Sequence, residues 1–439
     1  MGGTKRRLHG QCAGRGAECR DDDTADVLST LNKLARGAIV NLLARALTMA
    51  LGLAILVVVA RMGPEVQGAF SLFVAVESVL LTLFSGLGIA LARRLSHHRE
   101  SGGAALRSAM LAACAIGLVA MPILFALSAM SRSPPYDTLW LLAAVAPLIL
   151  LVPTASGLWL GQGRMLALNA PQVAVPLLML SGLGAMALGV APVGIAAVLG
   201  VWVVAKAIVA VGTAFAAWRA VPREPAAWEA LRADAGFIVA IGLTNVVSFL
   251  NYRVTLFIVE REQGLGIAGV YSVAVQVAEL LWLLSSAVTV SAYRRIGEPD
   301  RMQAAALTLR TSRINVMATA AAAPLLLVAA HWALPAVLGP AYAPALGPLA
   351  ALLPGVAAYA AASSLSAFFT NHLGRPQWAA KIAGLSLALN TAGALWAVPR
   401  FGMLGAAWST SVSYGIAITV AAAWFLRETG LPWRALVRR

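Results

Sequence analysis

Residues 68–94, GAFSLFVAVESVLLTLFSGLGIALARR, recur 201 positions later without a gap as 269–295, GVYSVAVQVAELLWLLSSAVTVSAYRR. Gly68, Ser71, Val74, Val76, Leu80, Ser85, Arg93 and Arg94 all meet identical partners. Each copy is an apolar run closed by a doubled arginine, and about 20 such residues are what a helix needs to cross a hydrocarbon core. Apolar helices resemble one another by chance. The order of the matches and the arginine pairs at equivalent ends argue for a true repeat. At offset 211 the pattern continues: Gly163-Arg164 matches Gly374-Arg375, and Val193-Gly194 matches Leu404-Gly405.

Working outward, twelve membrane-length runs emerge, at 38–60, 69–92, 105–128, 139–160, 169–189, 191–214, 236–259, 268–292, 313–333, 345–370, 379–397 and 403–425. Six per half is an even number, so the halves have the same orientation. Parallel repeats of this kind place a site between them, near the midplane. The fold class is therefore an all-α polytopic membrane protein, with two six-helix lobes around a central cavity. The expected organisation is a disordered tail (1–35), an N-terminal lobe (36–218), a linker with an interfacial helix (219–235), a C-terminal lobe (236–426) and a basic tail (427–439). In the linker, Ala227, Trp228, Leu231 and Ala235 share one helical face.

Composition agrees. The chain of 439 residues is 60% hydrophobic and 12% charged, too apolar for a soluble fold. Its net charge of +15 does not call for nucleic acid, because the loops account for it. Segments on the side of the termini hold 26 Lys/Arg and the opposite side holds 4, which puts both termini in the cytoplasm. Cys12, Cys19 and Cys114 have no metal or disulfide spacing. The first 30 residues lack the apolar core of a signal peptide. Gly264–Gly269 fits G-x-G-x-x-G but lies in a turn with no strand before it, so it is no dinucleotide site. His97 and His98 sit in a basic loop and read as solvated. No motif for a cofactor, metal, nucleotide or hydrolytic centre is present, and the short outer loops leave no room for an enzyme's machinery.

Polar residues inside the spans fall into stripes. Asn41, Arg45, Thr48 and Gly52 share a face of the first span, and Ser71, Ser78, Thr82 and Ser85 a face of the second. Thr244, Ser248, Asn251 and Thr255 do so in the seventh; Ser272, Gln276, Glu279 and Ser286 do so in the eighth. Two stripes from each half point to a wet cavity, though Ser and Thr also serve simply to pack helices together. Three cations lie in spans: Arg45, Lys206 and Arg253. Arg45 is on a stripe. Lys206 either contributes to the cavity or snorkels to the inner interface. Arg253 is off its stripe, about 9 Å from the outer end by helical rise. It pairs with Glu279 or Glu260, or contacts substrate directly. Glu77 is off its stripe and reads as structural.

Several stretches resemble the bacterial polysaccharide flippases of the multidrug/oligosaccharidyl-lipid/polysaccharide exporter superfamily. They are GPEVQGAFSLFVAVESVLL, NYRVTLFIVE, LGPAYAPALGPLAALLPGVAAYAAASSLSAFFTNHLGRPQW and LNTAGALWAVPRFGMLGAAWSTSVSYG. The resemblance covers nearly all of 33–426 and implies a cationic cavity. It further implies turnover of an undecaprenyl-pyrophosphate-linked oligosaccharide from the inner to the outer leaflet of a bacterial inner membrane, for surface polysaccharide assembly. Membrane lipids and a glycan polymerase or other polysaccharide-assembly membrane proteins are the expected partners. At Thr255 the chain departs from the family, whose members often carry an acid there, so the ion-coupling role falls to Glu279. Arg45, Arg253, Lys206, Asn41, Asn251 and Gln276 are the candidate substrate-binding residues. A multidrug or other small-molecule ion-coupled antiporter of the same fold is the alternative. The excess of intramembrane cations over acids favours an anionic substrate.

Overall fold

The computed structural model describes residues 18–98, 102–190, 192–297 and 300–436, with 18–39, 97, 98, 291 and 293–295 described by backbone alone. It is all-α among those residues. Helix α1 runs Glu18–Arg61, of which Val40–Arg61 has membrane-spanning length and hydropathy. There follow α2 (Pro64–Ser96), α3 (Gly103–Met130), α4 (Tyr136–Gly161), α5 (Met165–Ala187) and α6 (Ile195–Arg219). The second half holds α7 (Ala235–Gln263), α8 (Leu265–Val290), α9 (Arg301–Leu338) and α10 (Pro340–His372). The last helical stretch, Pro376–Thr429, is twice the needed length and leaves helical geometry at Gly402 (φ 61°, ψ −145°). It is thus two spans, α11 (376–401) and α12 (403–429), and the crossings number twelve. The expected tail 1–35 lies outside the described residues up to 17; from Glu18 the chain is helical.

The repeat is written in the backbone. Gly63 heads α2 and Gly264 heads α8, 201 positions apart, both with positive φ (125° and 87°). Pro64 takes the first helical position of α2, where its missing N–H costs nothing. Gly163 and Gly374, 211 positions apart, turn the chain after α4 and α10 with φ of 67° and 63°. The spans break in corresponding helices too: α4 at Leu150 and α10 at Ala360–Ala361, in register, and α2 at Phe84–Ser85 and α8 at Leu280–Leu281, five residues earlier in the repeat.

The two halves meet where α2 crosses α8. A Cβ on Gly68 would collide with the Leu265 carbonyl, and one on Gly269 with the Pro64 carbonyl. Those four residues exchange places under the 201-residue offset, so the contact is reciprocal about a pseudo-twofold axis. Small residues let backbones approach closely in lipid, where no hydrophobic force presses helices together. Ser71 donates to its own repeat partner Ser272 at 3.0 Å, and Gln67 Nε2 bridges both hydroxyls. At this far end, away from the termini, Tyr342 donates to the Ala60 carbonyl (3.0 Å), Arg61 Nε to Val337 (2.7 Å) and Tyr136 to Glu260 (2.9 Å).

At the terminal end one seam is sealed among the described residues. Gly242 lies against the Leu83 carbonyl, Gly86 against that of Ile238, and Asn245 Nδ2 donates to Ser85 Oγ at 2.9 Å. Arg94 pairs with Asp234 at 2.5 Å and caps the linker helix Trp228–Ala233 through the Ala230 carbonyl. The other seam, between residues 40–53 of α1 and residues 265–287 of α8, has no hydrogen bond among the described residues.

Candidate functional site

A cavity of about 460 Å³ lies along that unsealed seam, between the halves. α1, α2, α7 and α8 wall it. Ser71 and Ser78 come from one repeat, Ser272, Gln276 and Glu279 from the other, with Gly52, Phe70, Tyr252, Arg253 and Trp282 beside them. The polar faces of α2 and α8 thus meet across the axis.

Arg253 and Glu279 form a two-pronged ion pair on its wall, Nη1–Oε1 at 2.6 Å and Nη2–Oε2 at 3.0 Å. The guanidinium fork and the carboxylate are planar and matched in spacing, which makes this the strongest geometry for such a pair. Both side chains are about a quarter exposed (25% and 21%), so the pair faces the cavity rather than the core. Of the two acidic residues open to Arg253 in the sequence, the structure selects Glu279; Glu260 takes the Tyr136 hydroxyl instead. Extended along the chain, the 201 offset sets Gly52 against Arg253 and Ser78 against Glu279, and all four line this one cavity. One half supplies the charges and the other supplies room: nothing lies within 4 Å of where a Gly52 Cβ would sit.

A second cavity of about 500 Å³ lies in the C-terminal half, lined by Thr244, Ser248, Ser285, Ser363 and their neighbours. Tyr252 and Trp282 line both cavities, with rings 4.8 Å apart. Tyr359 and Tyr414 pack on them, 4.4 Å from each other, completing an aromatic partition. Sequence reasoning did not find this group. Its members come from four spans and follow no common period; the only signal was the aromatic residue beside Arg253.

The other candidates are dispersed. Gln276 lines the cavity and donates to the Ser272 carbonyl at 3.2 Å. Lys206 lies within the N-terminal half, its Nζ 2.7 Å from Glu77 Oε1 and above the Trp202 ring. Trp202 Nε1 donates to the other Glu77 oxygen at 2.6 Å, so a nearly inaccessible carboxylate (1% exposed) is held by an ion pair at one oxygen and a hydrogen bond at the other. Lys206 is therefore not brought to the cavity, and Glu77 is its packing partner. Arg45 is exposed and Asn41 half-buried, and neither lines the cavity. Asn251 is fully buried and its carbonyl accepts from Asn390 Nδ2 at 3.2 Å. Thr255 is buried beside it and bonded to the Tyr271 hydroxyl at 3.0 Å. Among the described residues that line the cavity, one cation, Arg253, is matched by one acid, Glu279, with no surplus of cations. The cause is tertiary: Lys206 points to Glu77, and α1 presents Gly52, not Arg45, to the cavity.

No protein-family model matches the chain, and no curated protein matches it. Solved structures do. A multidrug resistance MATE family transporter of the MOP superfamily, in an inward-facing conformation, superposes with a TM-score of 0.70 at 17% identity, covering 90% of this chain and 98% of the other. The lipid II flippase MurJ, in an inward closed conformation, gives 0.71 at 13% identity, covering 91% and 89%. A MOP superfamily transporter from Pyrococcus furiosus, described by the reverse polarity of its binding pocket, gives 0.60 at 17%, covering 93% and 96%. At these identities the likeness is one of fold.

Proposed function

We propose that this protein is a transporter that works by alternating access and carries an anionic amphiphile across the membrane, a polyprenyl-pyrophosphate-linked oligosaccharide being the substrate class that fits best. The observation that carries the reading is the Arg253–Glu279 pair on the cavity wall. Arginine is permanently charged, whereas a proton can neutralise Glu279. The pair therefore opens in one direction only. Protonation leaves a bare guanidinium fork, which suits a phosphate; no proton movement leaves a bare carboxylate for a cationic drug. The space beside Gly52 and the hydroxyls of Ser71, Ser78 and Ser272 would receive the headgroup, with Gln276 at its edge. Tyr252 and Trp282 offer flat apolar faces of the kind sugar rings stack on. The unsealed seam between α1 and α8 lets a lipid tail stay in the bilayer; Leu53 lines the cavity and is exposed along that edge. Arg45, Asn41 and Lys206 would act outside the cavity, as interfacial or packing groups.

The fold also serves multidrug transporters, and the aromatic partition supports that second reading, because ring faces attract cations. Proteoliposomes containing a fluorescent polyprenyl-pyrophosphate oligosaccharide separate the two. Transfer between leaflets is expected, driven by a proton gradient in the wild type. In Glu279→Gln, a permanent stand-in for the protonated acid, substrate binding is retained while the gradient loses its effect. Gradient-driven uptake of a cationic dye without movement of the lipid-linked glycan would replace this reading with the second.

A further inference from the structure

A larger cavity lies far from the site, at the terminal end of α9. It encloses about 980 Å³ between that helix and the segment 431–435. One face of α9 forms its long wall, with Met302, Arg310, Arg313, Ile314 and Met317 recurring at helical spacing. Arg434 closes it from the opposite wall. No Asp or Glu lines it among the described residues; Glu428, the acid at this end of α12, is engaged with Arg301 and Arg375. Arg313 has a structural task. It donates to the Leu436 carbonyl at 3.0 Å and to that of Ala435, and so fixes the short helix Trp433–Leu436 as the second wall. Arg310 and Arg434 are exposed and make no ion pair among the described residues.

Depth identifies what these arginines meet. From Met317 to Leu338 the helical stretch rises roughly 30 Å at 1.5 Å per residue, the thickness of a hydrocarbon core. Arg313 and Arg310 are one and two turns beyond it, at headgroup level. Ile314 (39% exposed) lies beside Arg313, and Met317 (62%) carries the same face into the apolar zone. A cationic pocket at headgroup level above an open apolar stripe has the shape and charge of an anionic phospholipid with one acyl chain along α9. We propose that this is a binding site for such a lipid, the phosphate held by Arg310 and Arg434. It is separate from the transport cavity and does not depend on what that cavity carries.

The test is native mass spectrometry of the delipidated full chain, titrated with phosphatidylglycerol or phosphatidylcholine. Wild type is expected to retain phosphatidylglycerol in preference. Arg310→Gln with Arg434→Gln removes two interfacial cations and should weaken that retention about 30-fold. A matched pair at the far end, Arg261→Gln with Arg400→Gln, should leave it unchanged and so exclude a general charge effect. Melting temperatures of all variants in detergent, expected to match the wild type without lipid, separate lost binding from lost fold. Arg310→Gln alone, with an intermediate loss, serves if the double variant melts early. Equal retention of the two lipids by the wild type, or unchanged retention in both Arg310 variants, would overturn the proposal. So would displacement of phosphatidylglycerol by inorganic phosphate at comparable concentration, which would make the site one for a soluble anion.

Discussion

Arg253 and Glu279 depend on each other. Removing one partner of a fully buried pair costs about 3–5 kcal/mol, because the other charge is left uncompensated. Here both groups keep a quarter of their surface, so the loss is smaller but remains measurable as membrane abundance. Arg253→Ala and Glu279→Ala are each expected to lower abundance, and the double variant to recover it while staying inactive in glycan export. Equal abundance in all three would remove the pair from the stability of the fold. Arg253→Lys keeps the charge without the fork and should export at a reduced rate. Gly52 is the counterpart experiment. Its Cβ position is empty, and replacing a mid-helix glycine relieves roughly 0.5–1 kcal/mol of helix cost. Gly52→Leu should therefore leave abundance intact, fill the space facing Arg253 and abolish export. Retained export would move the substrate out of this cavity. The Arg253–Glu279 contact could be anticipated from the chain, by helical depth and a short connecting turn. The vacancy at Gly52 could not, since a glycine in an apolar run looks the same whether it faces a neighbour or a void.

At the scale of elements, the α2–α8 crossing decides how the halves are joined. Gly68 and Gly269 each sit against the other helix's backbone, and backbone cannot move aside as a flexible side chain can. Gly269→Val should force the helices apart, with an overpacking cost of about 1–3 kcal/mol, and lower the melting temperature. Gly184→Val, a glycine with open space around it, is the control and should not. An unchanged melting temperature for Gly269→Val would mean that the crossing is not tight. The polar stripes fared unevenly at this scale. Those of α2 and α8 face the cavity through Ser71, Ser78, Ser272, Gln276 and Glu279, whereas Ser85 meets Asn245 and Ser286 lines the second cavity. That of α7 divides: Thr244 and Ser248 line the second cavity, whereas Asn251 and Thr255 turn into the C-terminal half among Asn390 and Tyr271. Periodicity shows that a helix has a polar face but not which neighbour that face meets.

Among the described residues, the molecule is closed at the far end and sealed along one seam at the terminal end. Alternating access requires the far-end contacts to break, and Ser71 with Ser272 is the contact on the axis itself, 3.0 Å between hydroxyls. Ser71→Cys with Ser272→Cys should cross-link under mild oxidation. Transport is expected to stop in the oxidised form and return on reduction, while either single variant, lacking one headgroup-facing hydroxyl, transports at a reduced rate that oxidation does not change. Continued transport by the cross-linked form would show that the halves do not part here.

The sequence by itself determined the all-α class, the twelve crossings, the two-fold repeat and the basic bias of one end. Those follow from local chemistry: apolar length, charge at helix ends and glycine at turns act on each span wherever it packs. It also determined that Arg253 and Glu279 could meet, because they lie on consecutive helices. Only the tertiary structure decided which charges share a cavity. It drew Lys206 away to Glu77, set the cavity at the depth of Gly52 rather than that of Arg45, two turns along the same helix face, and assembled Tyr252, Trp282, Tyr359 and Tyr414 from four spans. Those outcomes depend on the depth of each helix and on its rotation about its own axis. In lipid that rotation is set by close packing against neighbours, as at Gly68 and Gly269, rather than by the apolarity that every span shares.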